Sequence, residues 1–266
     1  MFHPRPLEPI PPQPAEWPTI SVVVPTVNEA ANLPYVLPRI PSWVHEVILV
    51  DGESTDGTVD VARVLLPSLR VIEQPRSGKG QALIAGISAS TGEVVVTLDA
   101  DGSADPAEIP AFVGALLSGA DFAKGSRFVQ GGGTTDMEWY RSTGNHGLKL
   151  VARALFGVRF SDLCYGYNAF WRDRVHQLAL DCDGFEIETL MALRAVKARH
   201  RITEVASFES PRVHGRSNLR TFRDGFRVLR TIVREWRLDM PVPTAAVAAE
   251  PDRVIVLDDV SLSAAS

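Results

Sequence analysis

VVVTLDADGSADP, residues 94–106, decides how the rest of this chain is read. Val94 to Leu98 is an unbroken run of β-branched and aliphatic residues with no polar alternation. Such a run marks a strand buried on both faces, which is the habit of parallel sheets covered by helices. The strand ends in two carboxylates, Asp99 and Asp101, one residue apart, followed by Gly102. Neighbouring anions repel, so the pair needs a positive partner.

Working outward, the same grammar repeats. Ile20–Val24, Val47–Val50 (ending at Asp51) and Leu69–Ile72 are short apolar runs, and Asp121–Gly125 begins another. Helix-like stretches lie between them at Thr58–Leu66, 79–90 and Ala107–Leu117, the last behind Pro106, a favoured first-turn residue. This order predicts an α/β, mainly parallel sheet flanked by helices. In such sheets ligands bind beyond the carboxyl ends of the strands. Pro25–Glu29, Asp51 and the Asp99/Asp101 pair all fall there. Past residue 127, FVQGGGTTDM predicts a mobile loop over 128–137, and helices are expected near 139–156 and 183–199, with a strand near Ile202–Phe208.

The 266 residues are 45% hydrophobic and 22% charged, as in ordinary globular proteins, and the net charge of −5 argues against a nucleic-acid partner. Two cysteines, Cys164 and Cys182, lack metal-ligand spacing and fit a reducing cytosol. A cytoplasmic location is expected, either free or peripheral on the inner membrane face. Residues 1–18 read as a proline-rich disordered arm, 19–238 as one catalytic domain, and 239–266 as a flexible tail in which RVIVLDDV (253–260) could add a strand.

D-x-D alone is compatible with a turn or a divalent-cation site. A calcium loop starting at Asp99 fails, because its sixth position is Ala104 and its twelfth Pro110. Held at a strand end, the pair suits Mg²⁺ or Mn²⁺ with substrate phosphates completing the shell. Asp51, in VDGESTDGT, is either a turn former or an acceptor for a base N–H or ribose hydroxyl. No G-x-G-x-x-G follows the first strand, which argues against a dinucleotide. RSGKGQAL (76–83) is not a P-loop, yet Lys79 at a helix N-terminus suits a phosphate.

PTVNEAANL, VDGESTDGT, RSGKGQAL, LDADGSADP and GSRF occur in the order and spacing of family 2 glycosyltransferases of the GT-A fold. Over residues 19–238 the chain resembles in particular the polyprenol-phosphate (dolichol-phosphate) mannosyl or glucosyl synthase branch. The resemblance implies an inverting transferase that takes a nucleotide-diphosphate sugar (GDP- or UDP-sugar) with Mg²⁺ or Mn²⁺ and passes the sugar to an acceptor such as a polyprenyl phosphate. Pro25, Thr26, Glu29, Asp51, Lys79, Asp99, Ala100 and Asp101 would line the donor site. Asp99 would face ribose and metal, and Asp101 would be the direct metal ligand. Arg127, Arg141, Arg212, Arg216 and Ser217 fall on the branch's basic acceptor elements. SDLCYGYNAF (161–170) departs from its pattern at Tyr167 and Asn168, and Asn218 replaces its usual lysine.

A phosphate acceptor needs no general base, whereas a hydroxyl acceptor does. Asp162, Glu186 and Glu188 are the candidates, set against a solvated helix start for the two glutamates. LRTFRDGFRVLRTIVREWRL (219–238) is amphipathic, with Leu219, Phe222, Phe226, Leu229, Ile232, Val233 and Trp236 on one stripe and arginines on another. It predicts either a core-packed helix or one lying on anionic lipid. The rival functions are transfer to a soluble hydroxyl in natural-product or polysaccharide assembly, a nucleotidyltransferase, and a catalytically dead binding module. The intact D-x-D argues against the last.

Overall fold

The computed structural model describes residues 17–74, 78–137, 139–215 and 219–238, with the backbone of 255–256. In chain order the strands and helices are β1 (Ile20–Thr26), β2 (Glu46–Asp51), α1 (Thr58–Leu65), β3 (Arg70–Glu73), α2 (Lys79–Ala89), β4 (Val94–Thr97), α3 (Ile109–Leu117), β5 (Phe122–Ser126), β6 (Gly133–Thr134), α4 (Trp139–Phe156), β7 (Asn168–Trp171), α5 (Arg172–His176), α6 (Ile187–Lys197), β8 (Ile202–Ala206), β9 (Phe208–Glu209), α7 (Thr221–Arg237) and β10 (Ile255–Val256).

The main sheet runs β3-β2-β1-β4-β7-β5-β8-β10. All pairings are parallel except those of β7, which is antiparallel to both β4 and β5. The expected mainly parallel sheet is therefore present, with one insertion that the apolar runs did not announce. Alternate residues feed two cores, as the period of two requires. Val22, Val24, Leu49 and Val96 pack with Ile109, Phe112 and Leu116 of α3. Val23, Ile48, Val50 and Val95 pack with α2 and α6 through Leu83, Ile87, Leu190 and Met191.

β7 shapes the surroundings of the carboxyl end of β4. Asn168 lies opposite Thr97, and the Thr97 hydroxyl donates to the Gly166 carbonyl at 2.9 Å. The approach to β7 is thereby laid beside the carboxylates that follow β4. The sheet's order reverses between β1 and β4, so the ends of β1, β2 and β4 converge on one crevice, as expected at a topological switch point.

Three expectations change. The 128–137 segment is a loop but is pinned at one point: β6 pairs in parallel with β9, and the Thr134 hydroxyl donates to Glu209 at 2.7 Å. The acids of FEIET are not a solvated helix start, since Glu186 and Glu188 are both buried. Finally, α7 does not bury the stripe expected. Its inner face is Asp224, Val228, Thr231, Ile232 and Glu235. Phe222 and Phe226 are 88% and 68% exposed. The helix is turned this way by an ion cluster: Glu235, fully buried, accepts from Arg194 at 2.9 Å and Lys197 at 3.0 Å on α6. Leaving such a carboxylate unpaired would cost far more than exposing an apolar ring.

Candidate active site

One cavity of about 790 Å³ opens at the carboxyl ends of β1 and β4. Its wall includes Pro25, Thr26, Glu29, Lys79, Asp99, Ala100, Asp101, Arg127, Arg141, Glu188 and Arg212, so most of the residues singled out from the sequence meet in one place. Asp51 stands just outside. It accepts from the Thr26 hydroxyl at 3.2 Å and from the Ser54 amide and hydroxyl at 2.9 and 2.6 Å, and it lines a smaller neighbouring hollow. These bonds fix the turn after β2 against the end of β1. Arg216 and Ser217 lie outside the described residues.

The two anions of D-x-D are held by protein cations. Lys79 Nζ lies 2.7 Å from Asp99 and 2.8 Å from Glu188, and its side chain is only 13% exposed. Burial pulls the Lys79 ammonium toward losing its proton, but Asp99 and Glu188 outweigh that and hold its pKa above the usual lysine value. Burial pushes the Glu188 carboxyl up, Lys79 offsets this in part, and Asp99 adds to the rise. Asp101 accepts from the Ser103 amide at 3.0 Å and lies 3.4 Å from Arg212. The same guanidinium grips both oxygens of Glu29 at 2.5 Å.

The helix start expected to cradle a phosphate is partly used. The Gly80 amide donates to the Asp183 carbonyl at 2.9 Å, and Gln81 bonds the Asp183 side chain at 2.8 Å. A side chain at position 80 would bring its Cβ to 2.3 Å from the Cys182 carbonyl oxygen, which is why glycine follows Lys79. The start of α2 is thus docked on the 182–184 loop, and its lysine turns to the carboxylates.

Asp99 and Asp101 remain 33% and 23% exposed toward the cavity. No cluster of three or more His, Cys, Asp or Glu side chains suited to a metal exists among the described residues. Two hard carboxylates at the edge of a large cavity, without a protein cage, fit Mg²⁺ or Mn²⁺ that draws its other ligands from diphosphate and water.

Two expectations are corrected. Asp162 is no candidate base: it is fully buried, absent from the cavity wall, and clamped by Arg127 Nε at 2.6 Å, Arg127 Nη2 at 3.0 Å and Asn145 at 3.1 Å. Burial would raise its pKa, but hydrogen bonds and charge from Arg127 lower it. Arg127 is equally committed. Its remaining Nη1 bonds both oxygens of Glu209 at 3.0 Å, and its guanidinium lies 4.8 Å from the Tyr165 ring centre. It builds the cavity floor and has little left to offer an acceptor. Arg141 differs. It lines the cavity and makes no hydrogen bond or ion pair with a described residue.

Sequence reasoning missed Asn145, Tyr165, Gly166, Phe185 and Glu209, all of which reach the cavity. Tyr165 and Gly166 lie within the SDLCYGYNAF stretch but were not singled out in it, and Asn145, Phe185 and Glu209 carried no local signal, because they arrive from α4, the loop before α6, and β9. Cys164 also lines it, but burial and the nearby Asp162 push its thiol up to about 11, so it is a wall and not a nucleophile.

A mainly parallel sheet whose switch point presents a carboxylate pair to a large cavity is the arrangement expected of a glycosyltransferase of the GT-A fold. Within that class the chain belongs to glycosyl transferase family 2, whose profile matches residues 21–178. It is 31% identical over 253 residues to dolichol-phosphate mannosyltransferase of Pyrococcus furiosus, covering 92% of this chain and 68% of that protein. It is 32% identical over 197 residues to polyprenol monophosphomannose synthase of Mycolicibacterium smegmatis, covering 69% and 74%. Among solved structures, glucosyl-3-phosphoglycerate synthase from Mycobacterium tuberculosis with Mn²⁺, UDP-glucose and phosphoglyceric acid is similar with a TM-score of 0.64 and 25% identity, covering 86% of this chain and 82% of that one.

Proposed function

We propose that this enzyme transfers a sugar, with inversion, from a nucleotide-diphosphate sugar to a polyprenyl phosphate, using Mg²⁺ or Mn²⁺ at Asp99 and Asp101. The observation that carries the acceptor class is Arg141, a guanidinium on the wall of the D-x-D cavity with no described carboxylate upon it. Guanidinium matches phosphate geometry in bidentate fashion. The relatives named for dolichol-phosphate and polyprenol substrates support the same reading.

In this reading Pro25, Thr26 and Glu29 flank the nucleotide, and Asp51 steadies the turn that shapes its pocket. Asp99 and Asp101 would hold the divalent cation, which would supply positive charge to offset the negative charge of the leaving diphosphate. An oxygen of the acceptor phosphate forms the new bond to the anomeric carbon from the face opposite the diphosphate. The bond from that carbon to the diphosphate oxygen breaks, and its electron pair leaves with the nucleotide. The attacking oxygen is already anionic, so no proton has to be removed. That fits a site whose one cavity-lining glutamate on α6, Glu188, is tied to a lysine.

No described helix is long and apolar enough to cross a bilayer. The lipid would instead be met at α7, where Phe222 and Phe226 project outward beside exposed Arg223 and Arg230. Each arginine near an anionic bilayer contributes about 1 kcal/mol. On α4, Trp139 and Leu150 are also exposed, at 79% and 63%.

The test is transfer from UDP- and GDP-sugars to undecaprenyl phosphate and, separately, to 3-phosphoglycerate, for wild type and Arg141→Ala. Product on the lipid phosphate is expected, with Arg141→Ala weakening it by about 2–5 kcal/mol if the contact is desolvated. Turnover of phosphoglycerate alone would overturn the acceptor assignment.

A further inference from the structure

The ammonium between Asp99 and Glu188 is held as a bound ion would be. Lys79 Nζ has a carboxylate on either side, at 2.7 and 2.8 Å, and lies 5.6 Å from the Phe185 ring centre. Backbone closes the space around it. A Cβ on Gly166 would fall 2.8 Å from Asp99 Oδ2 and 2.9 Å from Lys79 Nζ. Glu188 is 4% exposed, so it cannot turn to solvent and has no other described cation in contact.

The charges then sum in an informative way. Four carboxylates, Glu29, Asp99, Asp101 and Glu188, face Lys79 and Arg212, and adding Arg141 from the same wall still leaves the sum negative. A diphosphate arriving by itself meets a net excess of negative charge. A divalent cation arriving by itself must compete with Lys79 for Asp99.

We infer that Lys79 is the resident counter-cation of Asp99 and that Glu188 is a positioning residue, the seat on which Lys79 remains when a divalent cation takes Asp99. This rests on the reading of Asp99 and Asp101 as the metal's carboxylates. It makes metal and diphosphate bind together: each offsets the barrier met by the other. Glu188 thereby acts on the reaction through Lys79 and not by removing a proton from the acceptor.

Mn²⁺ binding in the absence of donor, read by loss of the free-ion EPR signal, tests this without any turnover. Wild type should bind Mn²⁺ weakly. Lys79→Met should bind it roughly tenfold more tightly, a gain of about 1.4 kcal/mol. Glu188→Gln leaves Lys79 with Asp99 alone and should weaken Mn²⁺ binding by about 10–100-fold, the usual effect of losing a group behind a metal ligand. In the Lys79→Met background Glu188→Gln should have no further effect. Equilibrium dialysis of UDP and GDP without metal should show only a modest weakening in Lys79→Met, under about tenfold, since one positive charge leaves an already negative site.

Unchanged or weaker Mn²⁺ binding in Lys79→Met overturns the inference. So does loss of metal-free nucleotide binding in that variant, which would make Lys79 a phosphate ligand. Full Mn²⁺ affinity in Glu188→Gln, with transfer abolished, would make Glu188 a base and likewise overturn it. Glu188→Gln removes a charge but almost no volume, so it carries the test alone if Lys79→Met does not fold. Asp99→Asn and Asp101→Asn separate the two readings. If neither changes Mn²⁺ binding, the metal site itself is misassigned; if they abolish it while Lys79→Met changes nothing, only the counter-cation inference falls.

Discussion

Asp162→Asn should behave as a stability mutation and not as the loss of a catalytic base. The carboxylate is fully buried and accepts from Arg127 Nε at 2.6 Å, Arg127 Nη2 at 3.0 Å and the Asn145 amide at 3.1 Å. An asparagine amide can satisfy only part of that set, and it leaves the Arg127 guanidinium short of an anion in a buried site. Removing one partner of a buried pair costs about 3–5 kcal/mol. Glu209 still pairs with Arg127 at 3.0 Å and limits the damage, which places the expected cost near the lower bound. At about 2–4 °C per kcal/mol for a chain of this size, the melting temperature should fall by roughly 6–12 °C. The pH dependence follows from the lowered pKa of Asp162. A carboxyl whose folded pKa is depressed adds stability above its unfolded value, about 3.9, and that contribution fades as pH falls through the folded value. The gap between wild type and variant should therefore be full at pH 7 and narrow as the solution is acidified below about 4. Thermal unfolding across pH, alongside kcat measured well below the melting temperature, gives both numbers. A variant with an unchanged melting temperature and no transfer would refute the structural account and restore Asp162 as a base.

Asp101→Asn should remove transfer with little change in melting temperature, because its carboxylate sits at the cavity edge; EDTA should silence wild type, with Mn²⁺ or Mg²⁺ restoring it, and full activity in EDTA would sink the metal assignment. Glu46 accepts from Ser21, Thr91 and Arg70, and although burial alone would raise its pKa these bonds lower it to about 2. Glu46→Gln should cost stability at neutral pH, and that cost should vanish between the ordinary glutamate value of 4.5 and about 2, as urea unfolding at several pH values would register. Phe222→Ser with Phe226→Ser should abolish cosedimentation with anionic vesicles while leaving the melting temperature intact, since both rings are exposed; undiminished cosedimentation would remove α7 from the membrane reading.

The sheet was legible because its information is local. Unbroken apolar runs at Ile20, Val47 and Val94 state burial on both faces, and burial on both faces implies parallel pairing. Strand ends in such a sheet share one edge, so Pro25–Glu29, Asp51 and Asp99/Asp101 could be placed together from the sequence. The metal-suited carboxylates were equally plain, since two acids one residue apart at a strand end are written in a single stretch.

What the tertiary structure decided is which charge meets which. Lys79 and Glu188 are more than 100 residues apart in the chain, and neither residue type nor spacing announces that they touch. Asp162 and Glu188 look alike as sequence, both acids near the second-half motifs, yet one is sealed against Arg127 and the other faces the cavity. β7 carried no separable signal: four residues inserted between β4 and β5 owe their place to the sheet around them, and through Gly166 they bring the backbone to Asp99. The facing of α7 was settled in the same way, by Glu235 meeting Arg194 and Lys197. Periodicity gives a helix its stripes, but a buried carboxylate without a partner is so costly that its partners, on another helix, determine which stripe turns inward.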